Sequence, residues 1–484
     1  MVMQEIIGDD RLSSLPDDIL LNILDRLNVC NAARTSILSG RWRHLPAMIS
    51  HLKIDVLDFL HEGKSIIPQI DIARINAAVV EATKSMLSRR GLNHNTIHSL
   101  DMDFFLKDDH MISIGHVVGH YMATHKVEKV EFTVMTERDD VHCNDDHLIG
   151  YGQQFRLFFD SCPVAFAGLT HLRLENPRFG ELDISNVLII CKRLQLLRLF
   201  NCDSGSSTVL QVEHPQISEL SIVDCSFERV ELNSLPKLIR MTFEGWISFQ
   251  DPLFIGDVPL LEALGLSDIC LSCHKMVKLS KFLVATSLRN LKLGFECEKI
   301  WVQPECLTKR FAYVFRQLRF VYLDDIPEGY DLTWTLFVLE VASNLKDLYL
   351  TVWDHLCKME TDEEKRKVLS YSEEKGVEWE PSTSSFQHPN LATLIIFGFQ
   401  SEGYMVRYVR RVMEAAINLQ DVFLYGRMSC KKCLGIPRAS SFPLTQRSQF
   451  VVGERITKGI NSSALVHFQT GAIRADHVAK MAFP

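Results

Sequence analysis

Apolar positions recur along most of this chain in one short pattern: an apolar residue, two others, a second apolar residue, one other, and a third. It stands at Leu169/Leu172/Leu174, Leu194/Leu197/Leu199, Ile217/Leu220/Ile222, Leu238/Met241/Phe243 and Leu261/Leu264/Leu266. It continues at Leu288/Leu291/Leu293, Leu318/Val321/Leu323, Leu345/Leu348/Leu350, Leu391/Leu394/Ile396 and Leu419/Val422/Leu424, with weaker copies at Ile97/Leu100/Met102 and Val127/Val130/Phe132. The last two apolar residues of each copy sit two apart, which is the period of a strand that buries one face. Proline precedes several copies, at Pro215, Pro236, Pro259 and Pro389. There it sets the entry to a strand without removing a hydrogen bond from the strand's middle. One such unit has nothing to bury its apolar face against, whereas a stack of them does.

Units of this kind, mostly spaced by roughly 20–30 residues, have the period of leucine-rich repeats. The pattern predicts an α/β fold in which an irregular leucine-rich-repeat solenoid over residues 96–427 lays parallel strands along its concave face. A conventional α/β domain with a parallel sheet is the competing reading of the same strands. Before the array, Leu52 to Leu60 is strand-like and leads onward, and Pro68 to Arg90 has helical apolar spacing and ends at Gly91, so residues 51–95 read as a linker and a capping helix. Tyr404 to Ile417 reads as a helix. Two gaps, Val134 to Phe166 and Trp353 to Gln387, predict loops projecting from a repeat edge; the first holds the polar run Glu137 to His147, and the second a charged run, Thr361 to Gly376, that could be helical.

The N-terminal stretch Asp10 to Leu45 has a different rhythm. Pro16, Asp17 and Asp18 suit a helix start, and Ile19, Leu20, Ile23, Leu24 and Leu27 follow at helical spacing. A segment this short cannot bury much apolar area alone, so it needs a partner surface. The runs Leu15-Pro16-Asp17-Asp18-Ile19-Leu20, Ala33 to Ser39 and Arg41-Trp42-Arg43-His44-Leu45 resemble a plant F-box over residues 10–50. The resemblance implies a three-helix module that docks onto the Skp-type linker of a cullin–RING ubiquitin ligase. Docking is expected to rest on Leu15, Pro16, Ile19, Leu20, Ile23, Leu24, Leu27, Leu38 and Trp42. At the other end, Gln449 to Ile456 and Ser462 to Phe468, with Cys430-Lys431-Lys432-Cys433, resemble the FBD-type segment of plant F-box/leucine-rich-repeat proteins. Physically this stretch, residues 428–468, would cap the last strand edge; residues 469–484 form a tail.

Composition narrows the function. The net charge of −8 excludes a general nucleic-acid binder, which would be basic. Thirteen cysteines, an odd number without a framework of spacings, point to a reducing compartment. No secretory core and no membrane-length apolar run is visible, so a cytoplasmic and/or nuclear location is expected. Cys270-Leu-Ser-Cys273-His274 has the form of a haem attachment pattern, but that chemistry needs export. Cys430 and Cys433 could supply half of a zinc site or a redox pair, but no second pair follows and structural cysteines are the expected reading. His116 and His120 have metalloprotease spacing without the adjacent glutamate that would act as base. His142, Asp145, Asp146 and His147 offer ligand types without ordered spacing. No cofactor is expected.

Taken with the resemblance, the expectation is a non-catalytic, substrate-binding subunit of an Skp–cullin–F-box ligase. The alternatives are a repeat scaffold that does not dock, or a metal- or thiol-dependent enzyme built on the cysteine and histidine clusters. Strand residues flanking the buried pair point into the concavity. Early strands place charge there (Arg173, Glu175, Arg198, Glu219, Arg240, Glu244), and late strands place Phe320, Tyr322, Tyr349, Ile395, Phe397, Phe423 and Tyr425. Aromatic groups gathered on one face have the composition of a protein-binding hot spot, so the target is expected on the late strands; the alternative is that the C-terminal segment or the Trp353–Gln387 insertion folds over these rings as core.

Overall fold

The computed structural model describes residues 14–60, 69–88, 97–107, 109–181, 183–205, 208–246, 251–268, 276–281, 283, 288–295, 300–305, 313–353, 359–368, 377, 379, 386–427, 433 and 440–469. The chain divides into two units, residues 1–205 and 206–484.

The first unit begins with helices α1 (Asp17–Leu24) and α2 (Val29–Arg34). Asp17 and Asp18 sit in the first turn of α1, where the helix dipole favours negative charge. The Asn28 side chain accepts from the Asn31 N–H and so caps α2. The third helix expected here is a single 3₁₀ turn, Leu45–Met48. Its second residue, Pro46, has no N–H to give to a longer helix. Leu20, Leu24, Val29, Ala32, Trp42, Leu45 and Ile49 are all buried and form the core of this small module.

Five parallel strands follow: β1 (His51–Asp55), β2 (Ile97–Phe105), β3 (Val127–Met135), β4 (His171–Glu175) and β5 (Leu196–Phe200). The repeat array therefore starts at His51, inside the stretch read as linker. The predicted helix is α3 (Gln69–Ser88), which connects β1 to β2 as a repeat element rather than standing outside the array. The Val134–Phe166 gap is not a loop. It holds α5 (Asp145–Ser161) and α6 (Pro163–Gly168), which follow α4 (His110–Thr124) in the chain. Asn144 and His147 form a capping box that starts α5, and Tyr151, Phe155, Phe158 and Phe159 face inward from it. Gly115 on α4 allows a close approach: a Cβ there would lie 2.6 Å from Cys162 Sγ and 2.8 Å from a Phe158 ring carbon. A last helix, α7 (Asp183–Ile190), leads to β5.

In the second unit β7 (Glu219–Val223) follows β6 (Val209–Glu213), and β9 (Arg240–Trp246) follows β8 (Arg229–Ser234). Then come β10 (Leu253–Asp257), β11 (Ala263–Asp268), β12 (Asn290–Phe295), β13 (Phe320–Pro327), β14 (Asp347–Trp353), β15 (Thr393–Phe397), β16 (Asp421–Tyr425) and β17 (Leu465–Gln469). The strands β7, β9 and β11 to β17 lie side by side in parallel in chain order, while β6, β8 and β10 form a second parallel sheet of three. Between β7 and β11 the return limbs are thus strands rather than helices, a local irregularity that the motif spacing alone does not reveal. The paired apolar residues of every described motif copy, such as Leu264/Leu266 and Leu348/Leu350, are fully buried or nearly so.

Two buried histidines hold strand entries. His388 Nδ1 accepts from the N–H groups of Asn390 and Leu391, and its Nε2 donates to the Ala342 carbonyl at 2.9 Å. His214 uses Nδ1 in the same way on Gln216 and Ile217. Each precedes a proline, Pro389 or Pro215, and burial holds the His388 ring below its ordinary pKa.

The described part of the insertion after β14 includes a short helix, α9 (Glu363–Val368); α8 (Leu336–Val341) lies earlier in the unit. The C-terminal part brings α10 (Gly403–Ala415) and α11 (Gln446–Thr457) together. Arg410 on α10 donates to the carbonyls of Arg455, Ile456 and Lys458, satisfying the open end of α11. The segment expected to cap the last strand supplies a further strand: β17 pairs with β16 from Leu465 to Gln469. No described helix is long and apolar enough to cross a membrane.

Candidate functional site

Two surfaces combine exposed apolar groups with a rigid base. The first is on the N-terminal module. Arg41 donates to the Leu15 carbonyl at 2.6 Å and to Asp17 Oδ1 at 2.5 Å, tying the segment after α2 to the start of α1. Around this tie Ile37 is 84% exposed, Leu38 62%, Ile19 44% and Leu27 39%. Leu15 and Ile23 are half-buried and Pro16 is exposed. The expected docking set therefore needs correction. Leu20, Leu24 and Trp42 are spent on the module's own core, because α1 turns that side toward the rest of the module, and they are closed to a partner. Ile37, the most exposed large apolar residue of the module, was missing from the expected set. It stands four positions after Ala33 and so belongs to the second apolar set of the stretch, Val29, Ala32, Ala33, Ile37 and Leu38, but spacing does not tell that the 3₁₀ turn it closes presents it to solvent.

The second surface is the open face of the second unit's long sheet. Register places its side chains in rows across the strands. One row is Phe320, Asp347, Thr393 and Asp421; the next is Tyr322, Tyr349, Ile395, Phe423 and His467. A third contains Thr351, Phe397, Tyr425 and Gln469. The rings touch: Phe320 and Tyr349 have centroids 4.8 Å apart, Phe397 and Tyr425 stack at 4.7 Å, and Phe423 stacks on His467 at 4.7 Å. The aromatic cluster inferred from sequence thus exists, but its members differ in access. Tyr322 is 2% exposed and Phe397 3%, so neither is open to a partner. Tyr322 donates its hydroxyl to Asp324 at 2.5 Å and meets Thr351 Oγ1 at 2.7 Å. Burial, then the Asp324 charge, pushes the Tyr322 phenol above its ordinary pKa. Phe320, Tyr349, Ile395, Phe423 and Tyr425 remain half-buried and reachable.

Charged groups on the open faces mostly neutralise one another. In the first unit Arg173 bonds to Glu131 at 2.6 Å, and Lys129 meets Glu131 at 2.8 Å. Burial alone would raise the Glu131 carboxyl, but Lys129 and Arg173 hold it below its ordinary range. In the second unit Arg240 pairs with Glu219 at 2.9 Å. Lys292 reaches Glu244 at 2.8 Å and Asp324 at 3.3 Å. To meet Glu244 it spans β11, where Gly265 in the same row has no side chain to block it. Burial works against the Lys292 charge, yet Asp324 and Glu244 outweigh it and keep its pKa above the ordinary lysine range.

The chemistry-bearing patterns noted in the sequence do not converge. His116 Nε2 lies 3.0 Å from the Ser161 carbonyl, and His120 is exposed on the same helix. His147 serves the α5 capping box. Among the described residues no three His, Cys, Asp or Glu side chains gather where they could hold a metal ion. Among the described residues no cysteine, Cys433 included, forms a disulfide. Cys270, Cys273, His274 and Cys430 lie outside the described residues.

Residues 161–461 match the family model of the At1g61320/AtMIF1 leucine-rich-repeat domain, and residues 12–50 match the F-box domain. Among Arabidopsis thaliana proteins, the chain is similar to the F-box/FBD/LRR-repeat protein At3g49030, 26% identical over 372 residues that cover 72% of this chain and 75% of that one. It is 26% identical over 223 residues to the F-box/FBD/LRR-repeat protein At3g52680, covering 45% of this chain and 46% of that protein. A short match to the F-box protein At3g59000 reaches 51% identity over 57 residues, 11% of this chain and 12% of that one. An F-box followed by leucine-rich repeats is thus shown by both family models. This chain belongs to the plant F-box/leucine-rich-repeat proteins that carry an FBD-like C-terminal segment.

Proposed function

We propose that this chain is the target-recognition subunit of an Skp–cullin–F-box ubiquitin ligase, working in the cytoplasm and/or nucleus and performing no chemistry of its own. The F-box binds the Skp-type linker and through it the cullin. The open face of the second unit holds a target protein. Tethering both to one chain makes ubiquitin transfer effectively intramolecular, because the target's local concentration at the ligase is set by geometry rather than by diffusion.

One observation carries this reading. Ile37, Leu38, Ile19 and Leu27 stand exposed on a module whose core is already complete without them. Exposed apolar groups on so small a module mark an interaction surface. Co-expression of the full chain with a plant Skp-type linker is the test. The two are expected to co-elute as a stoichiometric complex, and adding cullin and its RING partner should ubiquitinate proteins co-captured from plant cells under proteasome inhibition. A chain that stays folded and monomeric beside excess linker would overturn the proposal.

A further inference from the structure

We infer that the reachable strip on β13 to β16 takes an extended segment of the target that carries arginine or lysine. This rests on the reading of that face as the target site and adds the chemistry of what it accepts.

Charge balance carries the inference. Elsewhere on this unit's open face the acids are matched by the protein's own cations: Glu219 by Arg240, and Glu244 and Asp324 by Lys292. On the strip the pattern stops. Asp347 is half-buried between Phe320 and Thr393 in its row, and its carboxylate makes no hydrogen bond or ion pair among the described residues. Asp421, two strands on in the same row, meets among the described residues only the imidazole of His467, at 2.7 Å. Arg319 and Lys346 stand at the strand entrances, yet neither makes an ion pair with the strip among the described residues; Arg319 instead donates to the Asn344 carbonyl.

Beside the carboxylates lie half-buried faces of Phe320, Tyr349 and Phe423. An aromatic face next to an unmatched carboxylate suits one side-chain type: an aliphatic stem that packs on the ring and a cation that meets both the ring's quadrupole and the acid. Arginine, planar and able to bond a carboxylate with two donors, fits best. Asp347 and Asp421 sit on β14 and β16, roughly 10 Å apart across two strand spacings, so a ligand crossing the strands reaches both.

The test uses the full chain and fluorescence anisotropy at physiological salt. The probes are a labelled peptide of alternating threonine and arginine and its counterpart with glutamate in place of arginine. The arginine peptide is expected to bind and the glutamate peptide is not. Asp347→Lys with Asp421→Lys should weaken arginine-peptide binding roughly tenfold or more. Because the chain is acidic overall, with a net charge of −8, Glu363→Lys with Glu364→Lys provides the control: the same charge change on α9, expected to leave binding unaltered. Asp347→Asn keeps the shape and should by itself weaken binding about two- to fivefold, which guards against a misfolded double variant. Equal effects from strip and control variants, or an unaltered Asp347→Asn, would overturn the inference. Tyr349→Ala with Phe423→Ala separates it from the reading beneath. If captured target is lost with the rings but indifferent to Asp347→Asn, the face is the target site and its cationic preference is refuted. If neither variant alters target capture, the face itself is wrong.

Discussion

Replacing Ile37 and Leu38 by alanine is the sharpest test of how the F-box is used. Both side chains face solvent, at 84% and 62% exposure, so the folded chain has little to lose from their removal. Surface changes of this kind stay within about 0.5 kcal/mol of folding stability. Docking is another matter. Fully burying an isoleucine or leucine side chain contributes about 1.5–3 kcal/mol. Scaled by the exposure available and by the methyl group alanine keeps, the two truncations should together cost about 2–4 kcal/mol of binding, or roughly 30- to 1,000-fold in Kd. Leu20→Ala provides the opposite signature. That side chain is fully buried, so its loss should lower folding stability by about 2–5 kcal/mol. Linker affinity would then fall only through the unfolded fraction. Titration calorimetry with the Skp-type linker, paired with thermal unfolding of the same preparations, reads both quantities. Wild-type affinity in the folded Ile37→Ala/Leu38→Ala chain would refute the assignment of this rim as the docking surface. A large drop in its melting temperature would instead mean that the exposed pair packs in a way the structure does not contain.

Three further outcomes follow from the open faces. Tyr322→Phe removes a buried hydroxyl bonded to Asp324 and Thr351. It should lower stability by about 1–3 kcal/mol in denaturant unfolding while leaving target capture by the folded protein unaltered. Lys292→Met strands two half-buried carboxylates and should cost about 3–5 kcal/mol; adding Glu244→Gln and Asp324→Asn should recover most of it, and failure of that rescue would show the triad is not the cause. Glu131 is held below the ordinary glutamate range by Lys129 and Arg173. Its contribution is therefore complete above the unfolded pKa, about 4.3, and is lost as pH falls through the lower folded value. The stability gap between wild type and Glu131→Gln should accordingly be open at pH 7 and close in acid, as followed by melting temperature against pH.

How much of this was legible in the sequence depends on which physical rule set each feature. The repeat strands were legible because alternation is local: in a pair such as Leu348 and Leu350 the two buried residues declare the strand by themselves. The ends of the array were not. β1 and β17 pair with strands whose first residues lie more than forty positions away, His51 with Ser99 and Asp421 with Leu465; Leu52 to Leu60 reads as strand-like by itself, but nothing in these few residues says that either strand joins the array. Helix α5 was missed for another reason. Its opening residues, Asp145, Asp146 and His147, are the polar groups that a helix start recruits, so they read as a loop. The inward set from Tyr151 to Phe159 carried the helical period that polar composition masked.

The functional surfaces were half legible, and the missing half has one cause. Sequence spacing says which side of an element a residue takes, but not whether something else already occupies that side. On α1 the apolar positions were found correctly, yet Leu20 and Leu24 point into the module while Ile19 points out. A small module must spend part of a continuous apolar set on its own core before offering the rest to a partner. On the late strands the same alternation puts Tyr322 and Tyr349 side by side in one row, but only Tyr349 is reachable. The difference lies across strands: Asp324 and Thr351 close over the Tyr322 hydroxyl, and Asp324 is itself held by Lys292 from the neighbouring strand. Lys292 in turn reaches Glu244 over the bare backbone of Gly265. A glycine on one strand thus lets a lysine on the next join carboxylates on either side, and the phenol bonded to one of them is drawn into that buried network. The neighbouring Asp347 has no such lysine within its row, and its carboxylate makes no ion pair among the described residues.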